Sequence, residues 1–389
     1  MRNRSLTHLV VFCFILFSTL IIRADLSARA QAMETKAREA ILVDYETGAV
    51  LFEKNADTPM PPASMSKIMT VFMAFERLED GRLTMESEIP ISEKAWRKGG
   101  SKMFVEVGDR VSVADILRGI IVQSGNDAAI ALAEAIAGTE EAFAELMTEK
   151  AREIGMEGST FRNATGWPDP EHRVTARGLA LLAIETIRRF PDYYPLYSEK
   201  TFTYNDIRQG NRNPLLYKNM GADGLKTGHT VNAGYGLTSS ASRDGRRLVL
   251  VVNGLSSVQE RSEESQKLLE WGFREFDNYS LLKAGAAVTT AEVWLGKKAT
   301  VPLVSDRDVT ATMRRSDRKA MSVKVEYEGP VRAPIVQGQP IANMRVVAPD
   351  IEDKVFPLYA GADVERLGPL GRITAAVGHL IWGVPVTVE

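Results

Sequence analysis

The sequence predicts a mixed α/β (α+β) fold in which an antiparallel sheet is flanked by helices, followed by a small all-β C-terminal domain. Over residues 33–276, apolar residues at helical spacing are interrupted by short strand-like runs. Beyond residue 276 the helical spacing stops, and short β-rich runs alternate with glycine and proline turns. A length of 389 residues leaves room for two domains of this kind.

Residues 1–32 have the pattern of a secretory signal peptide. Arg2 and Arg4 precede an apolar run over residues 9–22, and residues 30–32 (Ala-Gln-Ala) form a small-x-small cleavage site. The apolar run of about 14 residues is short for a membrane span, although an uncleaved N-terminal anchor is the alternative. The pattern predicts an exported, periplasmic protein.

Composition excludes several classes of function. The only cysteine, Cys13, lies within the predicted signal peptide, so we expect no disulfide, zinc–thiolate site or cysteine nucleophile after cleavage. Cleavage removes four arginines and one aspartate and changes the formal net charge from −2 to −5. The remaining chain is mildly acidic and has no basic block, which argues against a nucleic-acid partner.

The first predicted domain begins with a strand hairpin, residues 40–45 and 49–52. A helix follows two prolines and extends to about Leu78. Two runs near the end of the domain, residues 235–241 and 248–253, predict a second hairpin, with residues 226–228 entering its first strand. Further helices are predicted over residues 114–122, 128–137, 140–154, 175–189 and 258–276. The β-rich runs of the second domain are residues 291–295, 300–304, 322–327, 344–347 and 354–358.

A serine and a lysine stand three residues apart at the head of the first predicted helix. On a helix, Ser64 and Lys67 share one face near the positive end of the macrodipole. A serine becomes a nucleophile when a neighbouring amine of lowered pKa takes its proton. The same spacing recurs at Ser280 and Ser316, so it is not specific by itself. A helix cap and a solvated lysine are the alternative.

Two further motifs occur once each in the chain. Ser124-Gly125-Asn126 falls in a loop between two predicted helices, where polar side chains are free to point into a cleft. Lys226-Thr227-Gly228 precedes the second predicted hairpin. For Asn126 a turn-stabilising side chain is the alternative. Three motifs in this order are far more specific than any one of them.

These stretches resemble a known family of enzymes. Residues 120–128 and 223–230, together with Asn211-Arg212-Asn213 and the loop that ends at Glu171-His172, are similar to the low-molecular-mass penicillin-binding proteins, the D-alanyl-D-alanine carboxypeptidases. The three motifs are also those of class A β-lactamases. The resemblance covers nearly the whole chain after the signal peptide and implies a β-lactamase/transpeptidase-like fold for the first domain.

The resemblance implies a serine-type carboxypeptidase that removes the terminal D-alanine from peptidoglycan pentapeptides. Ser64 would attack the carbonyl of the penultimate D-Ala, and Lys67 would take its proton. Partial burial and the charge of Lys226 would lower the pKa of Lys67. Ser124 would pass the proton to the leaving amine, and Asn126 would hold Lys67 and a substrate carbonyl.

The resemblance also implies groups that bind the substrate. The backbone N–H groups of Ser64 and His229 would form the oxyanion hole. Lys226, the Thr227 hydroxyl and Arg212 would bind the free C-terminal carboxylate, although a surface ion pair is the alternative for Arg212. Gly228 completes the motif of the edge strand along which the peptide would lie. No cofactor is expected, and His172 and His229 lack the spacing of a metal site.

Other activities of the same chemistry stay open at this stage. A D,D-endopeptidase, a β-lactamase and a non-catalytic peptidoglycan-binding protein are the alternatives. Class A β-lactamases carry a glutamate in a Glu-x-x-x-Asn setting after the second motif, and this sequence has none. Its absence favours a carboxypeptidase, in which a β-lactam acylates Ser64 and the acyl group is released slowly.

The predicted domain order is a signal peptide (1–32), a penicillin-binding/carboxypeptidase catalytic domain (33–276), a β-rich domain (277–365) and a tail (366–389). In the tail, apolar residues fall on one helical face, as in a helix that lies in a membrane surface. The tail would hold the protein on the outer face of the cytoplasmic membrane. A terminal strand or helix packed on the protein is the alternative. The apolar residues of that face are Leu370, Ile373, Val377, Leu380 and Ile381.

Overall fold

The computed structural model describes residues 33–347 and 353–373. The predicted signal peptide and residues 374–389 of the predicted tail lie outside the described residues. All the elements below belong to one compact unit that begins at Ala37. Within the described ranges, no helix is both long and apolar enough to cross a membrane.

Seven helices are described between residues 33 and 275. Five of them begin at a serine or threonine whose side chain accepts a hydrogen bond from a backbone N–H of the first turn. The helices are α1 (Lys67–Glu79), α2 (Glu93–Arg97), α3 (Val113–Ile121), α4 (Asn126–Ala137), α5 (Glu140–Glu153), α6 (Ala176–Arg189) and α7 (Val258–Glu275).

Nine strands precede α7, and five of them form an antiparallel sheet in the order β2-β1-β9-β8-β7. The other four form two small hairpins, β3 with β4 and β5 with β6, which the sequence analysis did not predict. The strands are β1 (Glu39–Asp44), β2 (Val50–Lys54), β3 (Glu88–Pro90), β4 (Arg110–Ser112), β5 (Thr201–Tyr204), β6 (Ile207–Gly210), β7 (Ala222–Thr230), β8 (Gly234–Arg243) and β9 (Arg246–Leu255).

Two details of the predicted secondary structure are wrong. Residues 226–228 do not enter β8 but lie within a strand of their own, β7, which pairs with β8 and forms the edge of the sheet. Asn126 is not in a loop, because it is the first residue of α4. The predicted hairpin of β1 and β2 and that of β8 and β9 are confirmed.

Residues 276–360, after α7, are all β apart from one 3₁₀ turn, as predicted. Eight strands form a two-stranded sheet (β10 with β13) and a six-stranded sheet in the order β14-β16-β17-β12-β11-β15. They are β10 (Phe276–Leu282), β11 (Ala287–Trp294), β12 (Thr300–Val304), β13 (Val309–Arg314), β14 (Ser322–Glu326), β15 (Val331–Arg332), β16 (Pro340–Val347) and β17 (Lys354–Ala360).

Helix α1 runs through the interior of the first domain. Ten of its 13 residues are buried, so it has no solvent-facing stripe over most of its length. Phe72 and Phe75 pack edge-to-face on Phe190, with ring centroids 5.0 and 5.6 Å away. Each buried phenylalanine contributes about 2 kcal/mol from the removal of apolar surface from water. The N-terminus of α1 is thereby held firmly where the first motif lies.

A buried polar cluster joins the large sheet to the β-rich part. The Asp44 carboxylate, at the end of β1, accepts hydrogen bonds from Arg246 Nε (2.9 Å) and from Asn278 Nδ2 on β10 (3.1 Å). Asn278 Oδ1 accepts from the hydroxyl of Thr312 on β13 (2.8 Å), which in turn contacts the Thr47 hydroxyl. Charge-assisted bonds of this kind fix how the two parts meet.

Candidate active site

Ser64 lies in a single 3₁₀ turn, Ala63–Ser66, that leads directly into α1. Ala63 has a φ of 49°, so the chain bends sharply just before Ser64. Lys67, the first residue of α1, is fully buried, and its Nζ lies 3.1 Å from Ser64 Oγ. The prediction that Ser64 and Lys67 face each other one turn apart is confirmed.

Lys67 makes three polar contacts, and their geometry decides what its amine can do. Its Nζ donates to Asn126 Oδ1 (2.8 Å) and to the carbonyl oxygen of Thr165 (2.6 Å). Asn126 Nδ2 donates to the carbonyl of Gly99 (2.8 Å), which orients Oδ1 toward Lys67. A neutral amine has two N–H groups and one lone pair. Since both N–H groups have acceptors, the lone pair is left for the hydroxyl of Ser64.

The pKa of Lys67 is lowered to about 7, chiefly because burial disfavours the ammonium ion. The next largest cause is the positive charge of Arg212, and Lys98 adds a smaller one, whereas Asp127 and Glu140 act in the opposite direction. The expected lowering is confirmed, and the repulsion between the charges of Lys67 and Lys226, which also lowers the pKa of Lys226, acts in the same direction. A lysine with a pKa near 7 can act as a general base at neutral pH.

Ser124 is buried and has a φ of 61°, an uncommon conformation for a residue with a side chain. Its Oγ forms no hydrogen bond with any residue that the structure describes. A buried hydroxyl without a partner is costly, and such cases concentrate at functional sites. Ser124 therefore retains its capacity to donate and accept for a ligand.

The residues of the second motif and Asp127 also hold residues 101–104 in place beside the cleft, a role that the sequence analysis missed. The carboxylate of Asp127, which follows Asn126, accepts from the backbone N–H groups of Met103 and Phe104 at 2.8–3.0 Å. The N–H of Asn126 donates to the carbonyl of Ser101 (2.8 Å). An acidic residue directly after the motif was the available sequence signal.

The third motif lies on the edge strand β7, where Lys226 and Thr227 are buried. A Cβ at Gly228 would lie 2.7 Å from the carbonyl oxygen of Pro62, so only glycine lets β7 approach the turn that carries Ser64. His229 is exposed, and its ring stacks on Tyr235 with 3.9 Å between centroids. Burial, and then the charge of Lys67, hold the pKa of Lys226 well below its ordinary value.

Arg212 reaches the cleft from the segment after β6. Its Nη1 donates to the hydroxyl of Ser101 (2.6 Å), and within the described ranges it forms no ion pair, so the surface ion-pair alternative is wrong. Arg261 on α7, which the sequence analysis missed, donates to the carbonyl of Arg212 (3.3 Å). Arg212 therefore presents an unneutralised guanidinium beside the cleft.

The loop after α5 supplies the remaining wall. Asn163 Oδ1 accepts from the backbone N–H groups of Thr165 (3.2 Å) and Trp167 (2.9 Å), which fixes the carbonyl of Thr165 on Lys67. Gly166 has a φ of 77°, and a Cβ there would lie 1.8 Å from the carbonyl oxygen of Ala63. The role of Thr165 was missed because a backbone carbonyl leaves no signature in a sequence, although the neighbouring glycine was visible.

His172 supports the turn that carries Ser64. Its Nδ1 accepts from the N–H of Arg162 (3.3 Å), so Nε2 carries the proton and donates to Ser66 Oγ (2.9 Å). Ser66 in turn donates to the carbonyl of Ala63 (2.9 Å). Burial lowers the pKa of His172 to about 4 and keeps the ring neutral. No group of three potential metal ligands occurs in the parts of the chain that the structure describes.

These walls enclose a cleft of about 350 Å³ with Ser64 within it. Asn126 and Ser101 line one side, Thr165 and Trp167 a second, and His229 a third. A serine hydroxyl beside a lysine of lowered pKa, an unpartnered buried hydroxyl and an excess of positive charge together suit acyl transfer from an anionic substrate.

Comparison with known proteins agrees with this chemistry. Residues 26–257 match the family described as D-alanyl-D-alanine carboxypeptidase, and residues 276–366 match the C-terminal domain of penicillin-binding protein 5. The D-alanyl-D-alanine carboxypeptidase DacC of Escherichia coli (strain K12) is 38% identical over 368 residues, which are 92% of this chain and 91% of that protein. DacA of Haemophilus influenzae is 38% identical over 369 residues, with 92% and 93% covered.

Two solved structures extend the comparison. Penicillin binding protein 5 from Haemophilus influenzae has a TM-score of 0.79 at 36% identity and covers 86% of this chain and 99% of its own. Penicillin-binding protein D2 from Listeria monocytogenes, in its ampicillin-bound form, has a TM-score of 0.57 at 30% identity and covers 62% of this chain and 98% of its own. The chain therefore belongs to the D-alanyl-D-alanine carboxypeptidase family, and it is a serine-type peptidase with the C-terminal domain of penicillin-binding protein 5.

Proposed function

We propose that Ser64 is the nucleophile of a carboxypeptidase that removes the terminal D-alanine from peptidoglycan pentapeptides. The observation that carries the proposal is the set of contacts around Lys67. Two acceptors, Asn126 Oδ1 and the carbonyl of Thr165, take the N–H groups of the neutral amine, and the lone pair is left for Ser64. With a pKa of about 7, a large fraction of Lys67 is neutral at physiological pH.

Acylation follows from these positions. Lys67 takes the proton of Ser64 as Oγ attacks the carbonyl carbon of the penultimate D-Ala. The backbone N–H groups of Ser64 and His229 stabilise the oxyanion, a contribution of about 3 kcal/mol for each donor. Ser124 relays the proton from Lys67 to the leaving nitrogen, the C–N bond breaks, and D-alanine departs. Water then attacks the ester and releases the peptide shortened by one residue.

Recognition of a free C-terminus gives this reaction its specificity. Lys226 and Thr227 are consecutive residues of β7, and Arg212 reaches the cleft through Ser101. Their cationic and hydroxyl groups suit a terminal carboxylate, which an internal peptide bond lacks. Gly228 lets the peptide-binding edge come close to Ser64. The edge position of β7 leaves it free to pair with an extended peptide.

We further propose that β-lactams acylate Ser64, since they present a strained amide and a carboxylate to the same groups. The ampicillin-bound form of the Listeria penicillin-binding protein D2 supports this proposal. Labelling with a fluorescent penicillin tests it: wild type should carry the label through denaturing electrophoresis, and Ser64→Ala should not. Absence of label on both proteins would contradict the proposal, and rapid penicillin turnover would favour a β-lactamase.

The decisive assay is D-alanine release from a pentapeptide that ends in D-Ala-D-Ala, by the chain without residues 1–32 and by its Ser64→Ala variant. Release by wild type alone is the expected result. Equal release by both would mean that another residue is the nucleophile. Release by neither would favour a non-catalytic peptidoglycan-binding protein, and cleavage of cross-linked dimers alone would favour a D,D-endopeptidase.

For localisation, we propose an exported, periplasmic protein held on the outer face of the cytoplasmic membrane by residues 366–389. The basis is the signal-peptide pattern of residues 1–32 and the apolar face of the tail, of which Leu370 and Ile373 are exposed. Deletion of residues 368–389 should release the protein from the membrane fraction and leave its soluble activity intact. Unchanged fractionation would contradict the proposal.

A further inference from the structure

Glu140, the first residue of α5, carries a buried carboxylate that none of the proposed catalytic steps uses. Its side chain is only 8% exposed, although a glutamate is rarely buried unless it is paired. Its Oε1 accepts a hydrogen bond from the backbone N–H of Ala164 (3.2 Å), and its Oε2 lies 3.3 Å from Lys94 Nζ on α2. Both oxygens therefore have a partner, and one of these partners belongs to the loop that contacts the catalytic lysine.

Ala164 directly precedes Thr165, whose carbonyl binds Lys67. The four backbone polar groups of Ala164 and Thr165 are all hydrogen-bonded. Their partners, in the order of the groups along the chain, are Glu140 Oε1, Thr70 Oγ1 (2.7 Å), Asn163 Oδ1 (3.2 Å) and Lys67 Nζ (2.6 Å). Buried backbone groups are rarely left unpaired. Loss of the acceptor at Ala164 would therefore shift this short segment, and the carbonyl of Thr165 would shift with it.

The negative charge of Glu140 is only partly compensated. Lys94 is shared between two carboxylates, because its Nζ lies 2.7 Å from Glu141 Oε1 as well as 3.3 Å from Glu140 Oε2. Two carboxylates and one ammonium leave one negative charge at this point. The side chain of Lys94 is 44% exposed, so water screens its charge more than it screens the buried charge of Glu140. The carboxylate of Glu140 can thus act on a neighbouring buried amine.

The amine of Lys67 is surrounded by charged and titratable groups from several segments of the chain. They are Lys98, Asp127, Glu140, His172, Arg212 and Lys226. The cations lower the pKa of Lys67, whereas the carboxylates of Asp127 and Glu140 raise it. The ring of His172, with a pKa of about 4, is neutral where Lys67 titrates. Glu140 therefore opposes the cations that surround the base.

We propose that Glu140 is a positioning residue for the general base: it holds the carbonyl of Thr165 on Lys67, and its charge keeps the amine basic enough to take the proton of Ser64. The buried hydrogen bond to the N–H of Ala164, one residue before that carbonyl, carries the proposal. The proposal rests on the carboxypeptidase function proposed above, in which Lys67 is the base. It predicts one effect of position and one of charge, and the two are separable.

Glu140→Gln removes the charge and keeps an acceptor, because the amide oxygen of glutamine can still bind the N–H of Ala164. The measurement is the second-order rate of acylation by a fluorescent penicillin as a function of pH. Loss of the carboxylate should lower the pKa of Lys67 and move the acidic limb of the profile to lower pH. The ratio of the rate at pH 6 to that at pH 8 should rise at least about twofold over wild type. The rate at pH 8 should stay within about threefold of wild type.

Glu140→Ala removes the charge and the acceptor together and leaves the N–H of Ala164 without its partner. The acidic limb should shift as in Glu140→Gln. In addition, the acylation rate at pH 8 and kcat/KM for D-alanine release should both fall about tenfold, because the carbonyl of Thr165 is displaced. Circular dichroism and thermal unfolding show whether each variant is folded. If Glu140→Ala is not folded, the pH profile of Glu140→Gln decides the proposal.

Glu141→Gln is the matched control. Glu141 is the next residue of α5 and pairs with the same Lys94, but its side chain is 72% exposed, where water screens its charge. This variant should have the pH profile and the rates of wild type. An unshifted acidic limb in Glu140→Gln, an equal shift in Glu141→Gln, or a wild-type rate at pH 8 in folded Glu140→Ala would overturn the proposal. A wild type that neither takes up the penicillin label nor releases D-alanine would instead contradict the carboxypeptidase function itself.

Discussion

The amine nitrogen of Lys67 lies 2.6 Å from the carbonyl oxygen of Thr165, a residue nearly one hundred positions further along the chain. This contact and that with Asn126 Oδ1 (2.8 Å) fix the direction of both N–H groups of the neutral amine. The lone pair is thereby directed to Ser64 Oγ, 3.1 Å away. The proposed action of Lys67 as a base toward Ser64 thus depends on two acceptors that do not themselves take part in the proton transfer.

Replacement of the base tests this arrangement most directly. Lys67→Arg keeps a positive charge, but a guanidinium does not give up its proton at any pH relevant here. We expect the rate of acylation by a fluorescent penicillin to fall by at least about 100-fold, as for loss of a general base. Lys102→Arg, on the neighbouring loop, is the control and should label normally. A Lys67→Arg enzyme with normal acylation would exclude Lys67 as the base.

The pH dependence of acylation should report the pKa of Lys67. Only the neutral amine accepts the proton of Ser64, so the second-order rate of acylation should rise with pH and reach half its maximum near pH 7. Lys98→Met removes one of the charges that lower this pKa, and it should move the acidic limb to higher pH.

Lys102→Met is the matched control for charge, since Lys102 is not among the groups that lower the pKa of Lys67. Its acidic limb should coincide with that of wild type. If the acidic limb of the pH profile for Lys98→Met lay at the same pH as that of wild type, the charge of Lys98 would not affect the pKa of Lys67.

A substitution at Gly166 tests whether its loop must lie close to the turn that carries Ser64. A Cβ at this position would lie 1.8 Å from the carbonyl oxygen of Ala63, so Gly166→Ala must displace the turn that carries Ser64 or the carbonyl of Thr165. A displacement of about 1 Å at a catalytic group costs about 100-fold in rate. We expect a loss of that size in the acylation rate.

Gly138→Ala separates the clash from backbone strain. Gly138 has nearly the same φ, 79° against 77°, but a Cβ there has no neighbour within 4 Å. In urea denaturation Gly166→Ala should lose more stability than Gly138→Ala, which bears the backbone strain alone, and only Gly166→Ala should lose acylation. Equal acylation rates in both variants would show that the close approach of Gly166 is not required.

His172 should make stability depend on pH in the acidic range. Its pKa is about 4 in the folded protein against an ordinary value of 6.5, so the unfolded chain binds more protons between these values. The free energy of unfolding therefore rises with pH from 4 to 6.5 and gains nothing more from this group above 6.5. The difference amounts to about 3 kcal/mol at most.

Urea denaturation at pH 5 and pH 7 measures this effect. His172→Gln should reduce the difference between the two pH values relative to wild type, whereas His229→Gln, at an exposed position, should not. A His172→Gln protein with the wild-type pH dependence would mean that the ring is not held neutral in the folded state.

Much of the site could be predicted from local sequence. Helical geometry places Ser64 and Lys67 on one face whatever surrounds them, and this is what the structure has. The short β-rich runs and turns after residue 276 likewise predicted the all-β part, because strand and turn preferences depend on only a few neighbouring residues. The errors at Asn126 and at residues 226–228 concern element boundaries, which local pattern defines poorly.

The resemblance implied that the pKa of Lys67 is lowered, but only the tertiary structure shows which groups lower it and how the amine is oriented. The pKa of Lys67 is low because the helix that carries it is buried and because Arg212 lies nearby, and neither burial nor a distant charge can be read from the spacing of a motif. The carbonyl of Thr165 acts through the backbone, which every residue has, so no residue type could have marked it. The sequence alone determined that Ser64 and Lys67 lie side by side, whereas packing between distant segments determined the protonation of Lys67 and the direction of its lone pair.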